Sequence, residues 1–396
     1  MKLVSKRELT TAVRDRYQRA SKKQKKVILN EFVASTGYHR KYALAVLGKK
    51  APKLTSHTHR RRVVVYTADV AQALTLLWKT SNGIASRRLH PFLPELVTVM
   101  ERHDELHLTD LVRRLLLTMS RSTIDRLLQP ARRAEPRHGR STTKPGTLLK
   151  QSIPIRTWAD WNDAKPGFVE IDLVAHCGLT TAGEYLATLN VVDVATGWCV
   201  CTIPTNRGQE AVRTALAAIR EHLPMPLLGI DSDNGAEFIN DHLKRYCDVE
   251  HITFTRSRPY KKNDQAYVEQ KNWTVVRSFV GYDRYEGSLA RLALNDLYRD
   301  LALYVNFFQP MMKLKEKTRV DGKLKKVYDA AQTPYQRVLA AAQIRQDRKE
   351  KLTELYGTLN PVHLLAVIQR QQRYLWEHHA ITPGNQEQAA HSKIPK

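Results

Sequence analysis

The sequence has few cysteines, and their spacing fits neither a zinc module nor a disulfide framework. Four occur among 396 residues, and they are Cys177, Cys199, Cys201 and Cys247. None forms a Cys-x-x-Cys pair, and no pair of histidines stands beside them at zinc-finger spacing. We therefore expect four small, buried residues of a protein from a reducing compartment.

Long apolar runs are missing as well. No window approaches the roughly 20 consecutive apolar residues that a membrane-spanning helix requires. The segment Met1–Glu8 has no apolar core of the kind found in secretory signals. We therefore expect a cytoplasmic protein without a membrane partner, associated with the bacterial nucleoid.

Acidic residues are outnumbered by basic ones. Lys and Arg total 64 against 39 Asp and Glu, which gives a formal net charge of +25. The excess is spread along the chain, so it favours a polyanionic partner, of which nucleic acid is the commonest. The alternative is a basic soluble protein without such a partner. A chain of this length should contain two to four domains.

Residues 1–50 predict a helix-turn-helix module. A helix begins after the N-cap Ser21, Thr36-Gly37 forms a tight turn, and a short basic helix spans 38–47. The second helix of such a unit enters the major groove of DNA, although other small helical bundles have the same pattern. The predicted DNA contacts at the start of this helix are His39, Arg40 and Lys41.

Residues 51–128 predict a second helical region. Its basic run Arg60–Arg62 either tracks phosphates or forms a solvated linker. One helix starts near Asp110, and the next, capped by Ser120 or Ser122, has the character of another recognition helix. Its predicted DNA contacts are Arg121 and Arg126. Residues 129–165 then form a basic, Pro-rich linker without periodicity.

Residues 166–285 differ from both ends of the chain because strands and helices alternate. The predicted elements are strands at 168–175, 185–193 and 198–203, a helix at 208–222, a strand ending at 231, a helix at 236–246, a strand at 252–255 and a helix from 263 or 264 to 279. The turn Ala195–Gly197 joins the second and third strands. The order β-β-β-α-β-α-β-α predicts a mixed sheet with helices on both faces.

Three separated carboxylates stand out within this region. Asp172 lies in the first strand, the run Asp231-Ser-Asp-Asn-Gly-Ala-Glu-Phe238 follows a later strand, and Glu269 lies on a helix. A lone Asp-Asn-Gly is usually a polar turn, in which Gly235 supplies backbone freedom. Two acids on strands and one on a helix instead suit an enzyme that holds divalent cations against a phosphodiester.

Residues 286–396 predict a basic and mainly helical C-terminal region. A helix at 289–308 precedes a strongly basic loop or small β element at 312–326. Helices continue past Pro334 to about residue 379, and a disordered tail begins at about residue 386.

The acids and the order of elements resemble the retroviral-integrase and DDE-transposase superfamily. The motifs that carry the resemblance are Glu-Ile-Asp172, Asp-Val-Ala-Thr-Gly-Trp198, Asp233-Asn-Gly-x-Glu-Phe238 and Asn263-x-Gln265-x-x-x-Glu269. Thirty-five residues separate Asp233 from Glu269. Within the superfamily, the chain is most similar to bacterial insertion-sequence transposases with an integrase-type core. Retroviral integrases also carry an N-terminal zinc module, whose ligand spacing this chain lacks, so no zinc is expected.

This resemblance implies a multidomain fold: a helical, helix-turn-helix N-terminal region, an α/β ribonuclease-H-like catalytic core, and a basic C-terminal region. It implies that Asp172, Asp233 and Glu269 are catalytic and hold two Mg²⁺ ions, for which Mn²⁺ can substitute. The implied reaction is cleavage at transposon ends followed by attack of the 3′-OH on target DNA. The implied partners are double-stranded DNA, namely terminal inverted repeats and target, and further copies of the chain on that DNA.

Several neighbours of these acids have open interpretations. Asp231 is a weaker candidate for a metal ligand than Asp233, and for Asp193 a hairpin turn or a supporting position behind the metal ligands is favoured over metal binding. Glu170 either lies near the site or pairs with a lysine. The family pattern also implies DNA contacts before and along the helix of Glu269, where a solvated helix face is the alternative. These predicted contacts are Arg258, Lys261, Lys262, Gln265 and Asn272.

Two other functions compete with transposition. One is a DNA-binding regulator built on a relic catalytic core, although all three acids are intact. The other is a ribonuclease-H-like or junction nuclease, against which the long helical N-terminal region argues.

Overall fold

The computed structural model describes residues 3–48, 65–134, 165–233, 238, 241–256, 265–320 and 323–380. Its contacts divide the chain into two compact units, Met1–Val65 and Tyr66–Lys396. The helices are α1 (Leu3–Arg19), α2 (Lys22–Thr36), α3 (Arg40–Gly48), α4 (Ala68–Thr80), α5 (Ser86–Arg102), α6 (Asp110–Thr118), α7 (Arg121–Leu127), α8 (Gln129–Ala134), α9 (Gln209–His222), α10 (Asp241–Val249), α11 (Ala266–Lys271), α12 (Ser278–Val280), α13 (Gly287–Phe308), α14 (Pro334–Ala340), α15 (Gln346–Thr358) and α16 (Pro361–His378). The strands are β1 (Phe168–Ala175), β2 (Ala187–Asp193), β3 (Cys199–Thr202), β4 (Gly229–Ser232), β5 (Thr253–Arg256), β6 (Leu314–Val320) and β7 (Lys323–Tyr328).

The first unit is a three-helix module, α1 to α3, around a small apolar core. Ser21 caps α2 through a capping box with Gln24, and Gly37 ends that helix in the left-handed conformation with φ 66°. The helix, turn and helix predicted here are confirmed. The second helix begins at Arg40, two residues later than predicted, because the chain is still turning at Tyr38, whose N–H donates to Thr36 Oγ1.

The second unit is built on a five-stranded sheet in the order β3-β2-β1-β4-β5. β1 pairs antiparallel with β2 and parallel with β4, β2 pairs antiparallel with β3, and β4 pairs parallel with β5. Every residue of β2 is buried, as expected of a strand covered on both faces. The predicted order of strands and helices and the ribonuclease-H-like class of the core are confirmed.

The open edge of β3 is covered by the long helix α13. Asn306 accepts a hydrogen bond from the Cys199 N–H through Oδ1 (2.9 Å) and donates one to the Cys199 carbonyl through Nδ2 (2.8 Å). Asn295 Oδ1 accepts from the Ile203 N–H (2.8 Å) one step further along. These two amides satisfy backbone groups that an unpaired edge strand would otherwise expose.

Helices α4 to α8 share the hydrophobic core of the sheet and do not stand apart as a second domain. The Tyr304 hydroxyl of α13 donates to the Thr80 carbonyl (2.6 Å) at the end of α4. The Tyr356 hydroxyl of α15 donates to Glu95 Oε1 (2.6 Å) on α5. The division predicted at residues 51–128 is therefore replaced by one body that begins at Tyr66.

The predicted linker begins later than residue 129. Gln129–Ala134 forms α8, because Pro130 lies in its first turn, where the missing N–H is tolerated. The rest of the predicted linker, from 135 to 164, lies outside the described residues, as do Arg60–Arg62 and the predicted tail from 386. No described helix is long and apolar enough to cross a membrane.

In the C-terminal region, the basic segment predicted as a loop or small β element is an antiparallel ribbon of β6 and β7. The predicted helices on either side of it are confirmed.

Candidate active site at the ends of two parallel strands

Two rows of acidic residues meet where the parallel pairing of β1 with β4 ends. In this register Glu170 pairs with Asp231 and Ile171 with Ser232. The next step brings Asp172 of β1 to the level of Asp233, which directly follows β4. Residues two apart on a strand share a face, so Glu170, Asp172 and Asp231 belong to one face of the sheet. We call Glu170 and Asp231 the inner row and Asp172 and Asp233 the outer row.

The inner row is fully buried and bonded to the protein itself. Glu170 Oε2 accepts hydrogen bonds from the backbone N–H groups of Tyr267 (3.0 Å) and Val268 (2.9 Å). These donors belong to the first turn of α11, where a carboxylate satisfies N–H groups that have no partner within the helix. Asp231 Oδ1 accepts from the Thr255 hydroxyl (2.6 Å) on β5. Glu170 thus lies beside the site and fixes the helix that carries Glu269.

The outer row is half-buried, and a chain of amides orients its first member. Asp172 Oδ2 accepts from Asn272 Nδ2 (2.5 Å), and Asn272 Oδ1 accepts from Asn190 Nδ2 (2.8 Å). Asn190 Oδ1 in turn accepts from the thiols of Cys199 (3.3 Å) and Cys201 (3.4 Å). Because the thiols donate at one end and the carboxylate accepts at the other, the direction of every hydrogen bond in this series is fixed. We call these residues the amide relay.

A buried cation lies behind the amide relay. Lys271 is 6% exposed, and burial lowers the pKa of its ammonium, against an opposing effect of the thiols of Cys199 and Cys201. The hydrogen bond with Cys199, together with burial, raises the pKa of Cys201 well above its usual value. Cys201 therefore keeps its proton near neutral pH and remains a donor to Asn190.

The helix of Glu269 changes its winding directly after the site. α11 ends at Lys271, and Asn272–Arg277 forms a π-helical segment. Such wide turns occur often at functional sites because they redirect side chains. Here the segment begins with Asn272, whose amide reaches Asp172. Glu269 itself is exposed.

Gln265 precedes α11 and is 7% exposed. Within the described part of the chain, its Nε2 is buried without a hydrogen-bond partner. The predicted capping residues Asn263 and Asp264 lie outside the described residues.

The donor chemistry of the site fits a hard divalent cation. Asp172, Asp233 and Glu269 offer carboxylate oxygens, which Mg²⁺ prefers, and Mg²⁺ needs few protein ligands because it keeps water and phosphate oxygens. Over the residues that the structure describes, no three His, Cys, Asp or Glu side chains are already grouped to hold a metal ion. β1 and the end of β4 therefore supply two neighbouring acids, and the third acid is on a separate helix.

The predicted DNA contacts fall into three groups. His39, Arg40 and Lys41 are exposed at the start of α3 in the first unit. Arg121 and Arg126 are exposed on α7, which Ser120 caps through the Thr123 N–H. The remaining basic residues, Arg258, Lys261 and Lys262, lie outside the described residues.

Asp193 has the turn role predicted for it. Its Oδ2 accepts from the N–H (2.7 Å) and the hydroxyl (2.6 Å) of Thr196, and its Oδ1 accepts from the Gly167 N–H (2.7 Å).

Asn190 is the residue of the site that sequence reasoning missed. It is fully buried in the middle of β2, and a buried amide in an apolar strand requires partners. The alternation Cys199-Val-Cys201 on the next strand is a second signal, since it puts two thiols on one face.

A family model of the integrase core domain matches residues 162–262. This chain is 16% identical to the HTLV-2 integrase catalytic core domain in complex with magnesium, with a TM-score of 0.29 over 38% of this chain and 93% of that one. It is 14% identical to a chain of the simian T-cell lymphotropic virus intasome in complex with PP2A regulatory subunit B56 gamma, with a TM-score of 0.28 over 52% of this chain and 67% of that one.

The family match over residues 162–262 and the strand order indicate an integrase-type core domain, the kind of domain found in polynucleotidyl transferases and recombinases. A relative from Sinorhizobium fredii (strain NBRC 101917 / NGR234), named uncharacterized protein y4rM, is 41% identical over 335 residues, which are 85% of this chain and 95% of the relative. The chain belongs to the same family as that protein.

Proposed function

We propose that the protein is a DNA transposase. It binds the ends of a mobile element, cleaves them, and joins the freed 3′-OH to target DNA. The observation that carries this proposal is the outer row: Asp172 lies in β1 one position past its last parallel pair with β4, Asp233 directly follows β4, and the neighbouring helix α11 carries Glu269. Both steps are phosphoryl transfers on the same kind of bond, so a single site serves both.

Asp172, Asp233 and Glu269 would hold the divalent metal, with two Mg²⁺ ions as the expected cofactor and Mn²⁺ as a substitute. Such ions activate an attacking oxygen and stabilise the leaving oxygen of a phosphodiester. The protein's own part is to present the ligands in fixed positions. The amide relay orients the Asp172 carboxylate, and Glu170 fixes the first turn of α11.

Residues other than the three acids would bind DNA in this proposal. The exposed residues at the start of α3 and on α7 would contact the element's ends, as would the basic segment from 258 to 262. Gln265 would contact DNA near the reacting bond, which requires its buried amide to become exposed. The amide of Asn272 already binds Asp172 and Asn190, so its predicted DNA contact requires part of the relay to open.

Two ends must be cut and joined in one complex, so at least two copies of the chain should assemble on DNA. This predicts a monomer or small oligomer in free solution that grows when duplexes carrying the element's ends are added. Light scattering of the protein with and without such duplexes tests the proposal.

The test of the activity is substitution of the three acids. Asp172→Asn, Asp233→Asn and Glu269→Gln should each abolish end cleavage and strand transfer with Mg²⁺ or Mn²⁺, while duplex binding survives. Glu221→Gln is a matched control, because Glu221 is an exposed acid on α9 and its loss should change neither activity nor binding.

The outcomes separate the competing functions. A wild-type protein that binds the ends but cleaves nothing would indicate a DNA-binding regulator on a relic core. Preferential cleavage of RNA–DNA hybrids or four-way junctions would indicate a nuclease. Full strand transfer by one of the three variants would remove that residue from the site.

A further inference from the structure

The ribbon formed by β6 and β7 has an unusual concentration of positive charge. Its two strands have the sequences Leu-Lys-Glu-Lys-Thr-Arg-Val and Lys-Leu-Lys-Lys-Val-Tyr. Six of these residues are basic, and Glu316 is the one acid. We call this element, residues 314–328, the basic ribbon. At about 3.3 Å per residue, seven residues make an arm of about 20 Å.

The register of the basic ribbon puts like charges opposite each other. Lys317 pairs with Lys326, and residues directly opposite in an antiparallel pair share a face with their Cβ atoms about 5 Å apart. Like charges at two directly opposite positions destabilise a ribbon. A polyanion lying against the ribbon would remove the repulsion.

Cations occupy both faces of the basic ribbon. Lys325 and Lys326 are consecutive in β7, so their side chains belong to opposite faces of the ribbon. In the part of the chain that the structure describes, Lys315, Lys325 and Lys326 are exposed and form no ion pair. A ribbon that is cationic on both faces is suited to a cleft whose two walls are both negative.

The root of the basic ribbon is fixed to the catalytic core. Lys313 Nζ donates to the carbonyls of Val194 (2.7 Å) and Ala195 (3.0 Å) in the turn after β2. Asp329 accepts from the Lys313 N–H (2.6 Å) and forms an ion pair with Arg337 (2.7 Å) on α14. The ammonium of Lys313 and the carboxylate of Asp329 are thus used inside the protein, whereas the exposed Lys315, Lys325 and Lys326 are left for solvent or a partner.

We propose that the basic ribbon inserts into the major groove of double-stranded DNA, with its two faces toward the two phosphate backbones. The B-form major groove is about 12 Å wide and admits a two-stranded ribbon. The major groove of an A-form RNA duplex is too deep and narrow to admit it. The inference rests on the proposed DNA transposase function and adds a binding element to it. The duplex is either the element's end or the target, which share this groove.

The first test removes four charges from the full-length protein. The variant carries Lys315→Gln, Lys317→Gln, Lys325→Gln and Lys326→Gln. The control removes the same charge from exposed positions on α15 and α16 through Arg348→Gln, Lys351→Gln, Arg370→Gln and Arg373→Gln. Fluorescence anisotropy measures the Kd for a B-form duplex between about 50 and 200 mM salt.

The ribbon variant should lower the slope of log Kd against log salt by about 2 to 4, since each lost phosphate contact lowers it by about 1. The control should change the slope by less than about 1. Equal changes in the two variants would overturn the proposal, because they would show a response to net charge alone. An equal loss of affinity for duplex RNA would overturn the fit to the B-form groove.

A single substitution separates binding from misfolding. Lys326→Glu places a carboxylate opposite Lys317, so it should raise Tm slightly while it weakens DNA binding several-fold. A misfolded variant would lose both. Unchanged DNA binding in Lys326→Glu together with a normal salt slope in the quadruple variant would sink the proposal.

Two duplexes distinguish the source of the DNA. A duplex with the element's terminal sequence and one of unrelated sequence are compared at equal length. If the ribbon variant loses more affinity for the duplex with the terminal sequence, the basic ribbon binds the element's ends. If it loses the same affinity for both duplexes, the ribbon binds target DNA or DNA of any sequence. If the wild-type protein binds neither duplex, the transposase function itself is refuted. If the wild-type protein carries out strand transfer and the ribbon variant binds DNA equally well, only the ribbon proposal is refuted.

Discussion

The inner and outer rows contain the same chemistry two residues apart, and the protein uses them in different ways. Glu170 and Asp231 are fully buried, and their oxygens accept hydrogen bonds from the backbone of α11 and from Thr255. Asp172 and Asp233 are half-buried where the parallel pairing of β1 with β4 ends. A carboxylate deep in the sheet therefore holds the structure together, whereas one at its edge stays available to a cation and a phosphodiester.

The comparison also shows how the two rows depend on each other. Glu170 positions the helix that carries both Glu269 and Asn272, and Asn272 then orients Asp172. Damage to the inner row should thus reach the outer row through α11, while damage to the outer row should leave the fold intact. Substitutions in each of the two rows test this asymmetry.

The largest expected effect on stability comes from Glu170→Ala. It would leave the N–H groups of Tyr267 and Val268 buried without this acceptor, at a cost of about 1–3 kcal/mol for each group. We expect a loss of about 3 kcal/mol in the free energy of unfolding, measured by urea denaturation. Glu170→Gln keeps an acceptor oxygen, so its free energy of unfolding should fall clearly less than that of Glu170→Ala.

Asp172→Asn is the counterpart in the outer row. It should change the free energy of unfolding by less than about 1 kcal/mol, since surface-edge substitutions that keep shape rarely cost more. A loss in Asp172→Asn as large as that in Glu170→Ala would contradict the separation of the two rows.

The next effect concerns the amide relay. Asn190→Ala removes the acceptor of the two thiols and the donor to Asn272, so the amide of Asn272 is free to turn away from Asp172. Loss of a group that orients a metal ligand typically costs about 10- to 100-fold in metal affinity or activity. We expect strand transfer at low Mg²⁺ to fall by about that factor and to recover partly at high Mg²⁺.

Asn295→Ala is the matched control for the relay. Asn295 is also a partly buried amide bonded to β3, through the Ile203 N–H, but it has no bond to Asp172. It should lower stability without changing the Mg²⁺ dependence. A Mg²⁺ requirement shifted equally in both variants would mean that the relay acts only through the stability of the sheet.

A third effect depends on pH and concerns His176, the residue that directly follows β1. His176 is fully buried between Thr188 and Tyr285, and burial, aided by Arg277, lowers its pKa from 6.5 to about 3. The unfolded chain binds this proton below about pH 6.5 and the folded protein does not. Stability from this group is therefore complete above pH 6.5 and is lost progressively toward pH 3.

The expected slope is about 1.4 kcal/mol per pH unit for one proton. Urea unfolding at pH 7.0, 6.0 and 5.0 measures it, and His176→Gln should flatten the curve in this range. An identical slope in wild type and variant would place the acid sensitivity elsewhere in the protein.

Much of the fold was accessible from the sequence because its signals are local. β1 has the predicted bounds, Phe168–Ala175, since its apolar residues and its two acids alternate over a short run. Ser21, Gly37 and Asp193 were likewise predicted for caps and turns, in which a residue bonds to a neighbour a few positions away. Asp172 was proposed as an acid within an apolar strand, and Asp233 from its motif and its spacing to Glu269, so neither choice needed a distant contact.

The parts that sequence reasoning missed depend on distant pairs. Asn190 and Asn272 are 82 positions apart, and nothing local indicates that a buried amide in β2 faces the helix of Glu269. Glu170 and the Val268 N–H are 98 positions apart, so the sequence left open whether Glu170 would meet a lysine or a helix. The inclusion of α4 to α8 in the core depends on similar contacts, such as that of Tyr304 with Thr80.

The smallest expected effect distinguishes Asp231 from Asp233, the two aspartates at the end of β4. Asp231→Asn keeps an oxygen that accepts the hydrogen bond from the Thr255 hydroxyl on β5. Stability should change by less than about 1 kcal/mol, because this hydrogen bond survives in a side chain of the same shape. Strand transfer should stay within about threefold of wild type, which is under 1 kcal/mol of barrier. Asp233→Asn, two residues away, should abolish strand transfer at equal stability, and a loss of activity in Asp231→Asn as deep as this would make the inner row part of the metal site.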